Sequence, residues 1–174
     1  MEISKVTLAL STFYRTALSK GEDVVTVENC IQNMQAYLEI QLTMHDNNFT
    51  VDWDIDPTIK NEKMPKLLLQ PVVENAIFHG LEEKLEGGKV TIDIIVTDKN
   101  LILMISDNGK GMDVDTLKEL NARIQSNNME LDDREERNQR NTGIALPNIH
   151  KRIQLLFGEE YGVNVYSTAG QGTD

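Results

Sequence analysis

The sequence predicts an α+β domain behind a helical segment. Three observations carry this: apolar stripes at helical spacing precede His45, Phe49 to Ile55 alternates with period two, and two apolar runs flank Asp98-Lys99-Asn100 like the arms of an antiparallel pair.

Taken in order, Val6, Leu8, Leu10, Phe13, Tyr14, Ala17 and Leu18 mark a first helix, closed by Gly21. Thr26 is placed as the N-cap of a second, with Glu28 in its first turn. On it Ile31, Met34, Leu38 and Leu42 form a seam suited to helix-on-helix packing, within a hairpin or across a dimer, or simply to a local core stripe. Phe49 to Ile55 reads as a strand with one buried face. Pro65 then suits a first helical turn, and Lys66 to His79 predicts a helix buried nearly all round. Lys89 to Val96 and Leu101 to Ser106 predict a hairpin. Asp113 can cap a short helix bearing Val114, Leu117, Leu120 and Ile124. Ser126 to Asn141 has almost no apolar residues and predicts a mobile loop, followed by a helix from Pro147 to Phe157 and a strand from Val163 to Ser167. No internal repeat is present.

The 174 residues suffice for one real core, not two. Seventeen Lys and Arg against twenty-eight Asp and Glu leave a charge of −11, a field that disfavours nonspecific association with nucleic acid or anionic membrane. A phosphate-bearing ligand must therefore be captured locally. Cys30 stands alone, so no intramolecular disulfide and no cysteine-held zinc is expected, and a reducing cytoplasm fits. The apolar runs fall far short of the roughly 20 residues of a membrane span. The chain starts inside a helical pattern and stops at Gly172-Thr173-Asp174, so the expectation is a piece of a longer protein.

Three segments break the local rules, as functional sites tend to. In Gln70-Pro71-Val72-Val73-Glu74-Asn75-Ala76 a polar pair and a proline interrupt an apolar helix; an interior proline costs about 3 kcal/mol. The bland alternative is that Glu74 braces neighbouring backbone and Asn75 bonds a loop. In Ser106-Asp107-Asn108-Gly109-Lys110-Gly111-Met112 a strand runs into a glycine pair with no returning strand, so the pair serves close approach of backbone to a flat ligand or phosphate rather than a simple Asn-Gly hairpin turn. In Asn141-Thr142-Gly143-Ile144-Ala145-Leu146-Pro147-Asn148 small residues lead into a helix start, where free amides make an anion site without surplus positive charge. A plain N-cap would explain Thr142 or Asn148 equally well.

Together and in this order, the segments resemble the asparagine box, the D-x-G-x-G box and the second glycine box of the GHKL superfamily of ATP-binding domains. The resemblance is closest to sensor histidine kinases of the LytS/YesM type, because Leu18-Ser19-Lys20-Gly21-Glu22, Tyr37-Leu38-Glu39-Ile40-Gln41 and Gly170-Gln171-Gly172-Thr173 also look like that group's signatures. It implies a two-layer α/β sandwich of the GHKL (Bergerat) type with a mixed, largely antiparallel sheet, preceded by a helical hairpin. Residues 1–46 would be part of the dimerisation region and residues 47–174 the catalytic domain, with a lid at about 113–142 and a truncated C-terminal strand.

By the same resemblance, Asn75 would hold the Mg²⁺ that bridges the ATP phosphates, a hard ion suited to an amide oxygen. Asp107 would accept the adenine amino hydrogen. Gly109 and Gly111 would let the purine lie against backbone, and His79, Met112, Gly143, Ile144, Leu146 and Thr173 would line the same nucleotide site. ATP or ADP, a response-regulator receiver domain and a second copy of the full-length protein are the implied partners, with no nucleic acid and no membrane contact by this segment. The setting would be the cytoplasmic domain of a membrane-anchored receptor.

The chain also departs from the pattern. Ala145 stands for a glycine in Gly143-Ile144-Ala145-Leu146, and Phe78 stands where relatives place a basic residue. No segment like H-F-L-F-N supplies an acceptor histidine, since His45, His79 and His150 lie elsewhere, so no catalytic residue is assigned and the acceptor is expected upstream. Pro71 occupies the place of the water-activating glutamate of gyrase-like ATPases, which speaks against ATP hydrolysis. A nucleotide-independent interaction module is the alternative reading.

Overall fold

The structure, a computed structural model, describes residues 2–18, 23–81, 84, 86–126 and 145–174. The polar tract 127–141, Gly143 and Ile144 lie outside the described residues.

Helices α1 (Glu2–Ala17) and α2 (Val27–Met44) pack as the predicted pair. The Thr26 hydroxyl caps α2 by accepting from the Asn29 amide at 3.3 Å. Ile31, Met34 and Leu38 of the seam are buried. Asn33, also buried, donates to the Phe13 carbonyl at 3.2 Å and the Thr16 hydroxyl at 2.7 Å, which satisfies its amide and fixes how α1 lies on α2.

Before α2 and after it run β1 (Val24–Thr26) and β3 (Lys63–Pro65), an antiparallel ribbon the sequence pattern did not reveal. Pro65 therefore ends a strand instead of opening a helix. Helix α3 is correspondingly shorter, Leu69–Asn75, which places Pro71 in its first turn. The amides of a first turn have no intrahelical acceptor, so the proline costs none of the bonding an interior one would lose. Nor is the segment from Lys66 to His79 buried all round: Leu69, Val73, Ala76 and Ile77 face the core, whereas Leu67 and Phe78 are exposed. The helix continues into a wide π turn, Ala76–Gly80, in which the Leu81 amide reaches back to the Ala76 carbonyl at 3.0 Å.

The main sheet has the order β2-β4-β5-β7-β6, from β2 (Phe49–Ile55), β4 (Gly88–Val96), β5 (Leu101–Asp107), β7 (Gly172–Thr173) and β6 (Ser167–Thr168). Strands β2 and β4 are parallel and the other neighbours antiparallel, with β4 and β5 forming the predicted hairpin from Val90↔Asp107 to Val96↔Leu101. One face carries the core: Val90, Ile92 and Ile94 have no exposed surface and join Val73 of α3, Ile124 of α4 (Val114–Gln125) and Ile149 of α5 (Ala145–Phe157). The other face presents polar side chains, among them the Lys89–Asp52 ion pair at 2.7 Å.

The strand predicted over Val163 to Ser167 reduces to Ser167–Thr168. Side chains take the backbone groups that a ladder would need. His150 Nδ1 accepts from the Val163 amide at 3.0 Å and Asn121 donates to the Val165 carbonyl at 3.1 Å. Among the described residues no helix is long and apolar enough to cross a membrane.

Candidate functional site: a cleft between sheet and helices

A cleft of about 1300 Å³ opens between α3 with its π turn, the edge of β5, helices α4 and α5, and the terminal hairpin. Asn75, His79, Asp107, Gly111, Met112, Leu146 and Thr173 all line it. Three sequence segments far apart in the chain thus meet on one surface. Gly143 and Ile144 fall outside the described residues, and Gly109 sits buried behind the wall.

The Asp107 carboxylate forms the floor at the end of β5. Burial raises its pKa above the ordinary aspartate value, while bonds from the Gly109 and Thr173 amides, the first at 2.8 Å, pull the other way. Space for the carboxylate comes from Gly80, where a β-carbon would lie 2.5 Å from the Asp107 carboxyl carbon. At Gly109 a β-carbon would stand 1.9 Å from the Gly80 carbonyl oxygen. That same oxygen accepts from the Lys110 amide at 3.1 Å. Gly111 has φ +61°, and a β-carbon there would lie 2.1 Å from the Thr168 carbonyl oxygen. Contact of backbone with backbone inside the protein is thus enough to demand glycine at both positions.

Asn108 holds the loop from behind, accepting from the Lys89 amide at 2.9 Å and donating to the Gly87 carbonyl at 3.0 Å. Sequence reasoning missed Ser167, whose hydroxyl accepts from the Met112 amide at 2.8 Å and lies 2.9 Å from the Thr173 hydroxyl. Nothing in an isolated serine signals that role. Glu74, next to Asn75, is bonded by the Gln70 amide at 2.8 Å and by Tyr37 of α2; burial first, then the Glu74 charge, raises the Tyr37 hydroxyl well above its usual range. Glu74 is therefore a brace between helices.

Comparison with known proteins decides the family. The description Histidine kinase-, DNA gyrase B-, and HSP90-like ATPase matches residues 60–174. The chain belongs to this ATPase family. Sensor histidine kinase YesM of Bacillus subtilis is 30% identical over 172 residues, which are 99% of this chain and 26% of that protein. Sensor protein LytS of the same organism is 26% identical over 98% of the chain, and sensor histidine kinase BtsS of Escherichia coli 29% identical over 94%. The chain spans about a quarter of the length of these curated relatives.

Two solved structures share the fold. A histidine kinase domain from a blue-light activated kinase of Erythrobacter litoralis aligns with TM-score 0.55 at 17% identity, covering 99% of this chain and 71% of that one. Acinetobacter baumannii histidine kinase AdeS aligns with TM-score 0.56 at 16% identity, covering 98% and 74%. As a member of the histidine kinase-, gyrase- and HSP90-like family, the chain carries an ATP-binding domain.

Proposed function

We propose that residues 47–174 bind ATP and donate its γ-phosphate to a histidine elsewhere in a full-length sensor histidine kinase, residues 1–46 being part of its dimerisation region. The observation that carries this reading is the convergence of Asn75, Asp107 and Thr173 on one cleft. Asp107 takes the adenine amino group and Thr173 closes that end of the site. Gly109 and Gly111 bring the backbone close, His79, Met112 and Leu146 shape the walls, and Gly143 and Ile144 complete the phosphate end by their place in the second glycine box. Asn75 faces the phosphates.

Among the described residues no group of three or more His, Cys, Asp or Glu gathers to hold a metal. A divalent ion here would take phosphate and water oxygens with one protein amide, a donor set that suits Mg²⁺. When bound it would neutralise charge on the transferring phosphate. The chain's own residues orient the nucleotide and keep the adenine end in place. In this reading a receiver domain is the later phosphate acceptor, a homodimer is the working unit, and the place is the cytoplasmic part of a membrane receptor.

Calorimetric titration tests the reading. The wild-type chain is expected to bind MgATP, and Asn75→Ala to lose at least tenfold in affinity together with the dependence on Mg²⁺. No detectable nucleotide binding would favour the interaction-module reading instead.

A further inference from the structure

Arg152 on α5 reaches out of its own helix to two distant carbonyls. Its Nη1 donates to the Lys66 carbonyl at 2.8 Å and its Nη2 to the Asp23 carbonyl at 3.4 Å. The Asp23 carbonyl also accepts from the Lys66 amide at 2.9 Å, so the guanidinium closes the end of the β1–β3 ribbon. The next residue, Leu67, has φ +57° and is exposed. A branched side chain in the left-handed region is strained, and such a conformation persists only where its surroundings enforce it.

The Lys66 carbonyl belongs to the same peptide plane whose rotation is the φ of Leu67. Holding that oxygen therefore holds the strained angle. Immediately beyond, α3 begins and carries Asn75. Helix α5 meanwhile supplies Leu146, Ile149 and Ile153 to the cleft. One side chain thus fastens the helix of one wall to the launch point of the helix opposite.

We propose that Arg152 is a positioning residue for the nucleotide: by holding the Lys66 carbonyl it keeps Leu67 left-handed and sets where α3 presents Asn75 relative to Asp107. This rests on the nucleotide-binding reading above and adds a residue to it. Asp107 lies on β5, whose place is fixed by seven paired residues of β4, so adenine capture is independent of the clamp. Only the phosphate end depends on it.

The experiment compares the wild type with Arg152→Met, Arg152→Lys and Arg152→Met/Leu67→Gly, each titrated with MgATP and with adenosine. Arg152→Met removes the donors and keeps the apolar stem; it is expected to weaken MgATP at least tenfold and adenosine less than twofold. Arg152→Lys, with one ammonium and no fork, should recover part of the loss. Leu67→Gly should also recover part, because glycine adopts the left-handed angle without enforcement. Equal losses for both ligands, or undiminished MgATP affinity, would overturn the proposal. If the wild type bound neither ligand, the nucleotide reading would fail and the positioning role with it. A thermal-unfolding cycle of Arg152→Met and Leu67→Gly then separates the two failures: non-additive effects keep the clamp on Leu67, and additive effects remove it as well.

Discussion

Burial raises the Asp107 carboxyl, and the amides that bond it offset only part of that cost. An acid with a folded-state pKa above its unfolded value holds more protons in the native state, so stability declines as pH climbs from the unfolded pKa through the folded one. Above the folded value the penalty is fully present. Asp107→Asn keeps an oxygen for the Gly109 amide and sheds the buried charge. It should resist urea at pH 7 at least as well as the wild type, with any advantage shrinking as pH falls through the raised value toward the ordinary aspartate one, while adenine-nucleotide affinity drops tenfold or more. A variant clearly less stable at pH 7 would show that the carboxylate's bonds outweigh its burial. Cys30 makes a second prediction at this scale. Burial pushes its thiol up to about 11, and its sulfur packs 3.9 Å from the Pro65 carbonyl. Native protein should label negligibly with a thiol reagent at neutral pH and label fully in denaturant, as the thiolate is the reactive form.

At the scale of elements, the two long strands of the hairpin, both caps and the helices α1, α2, α4 and α5 were legible because each rests on its own local pattern. Thr26 and Asp113 cap as predicted, the latter accepting from Asp115 and Thr116 amides at 3.0 and 2.9 Å. The β1–β3 ribbon was not legible, since its three-residue strands are too short to show a period and their pairing joins residues distant in sequence. Pro65 misled for the same reason, being equally compatible with a strand end and a helix start. The D-x-G-x-G segment reads as a close approach to a ligand, whereas the partners that demand its glycines, the Gly80 and Thr168 carbonyls, are fixed only by the fold. Gly109→Ala tests the point. Its methyl would meet a carbonyl that also bonds Lys110, so the loop must shift; a loss of about 1–3 kcal/mol is expected in urea unfolding, and an unchanged midpoint would show the loop able to yield.

For the molecule as a whole, the core under β4 carries the stability and the cleft carries the chemistry, so the two should separate under mutation. Ile92→Ala is expected to cost about 2–5 kcal/mol while leaving nucleotide affinity at low temperature unchanged within twofold. The candidate site was legible as a set of motifs, and its convergence only through the resemblance, because nothing local says that Asp107 will be paired with Thr173. That pairing is also the thinnest seam in the sheet: β7 meets β5 at one residue pair, whereas β4 meets β5 at seven. The terminal hairpin can therefore open by local unfolding at a small fraction of the free energy that melts the sheet. Each opening bares the end of the cleft proposed for adenine and removes the Thr173 amide from Asp107. Amide exchange should accordingly be rapid over 167–173 and slow over 90–94, and a nucleotide seated against Asp107 acts as the latch that slows the faster set.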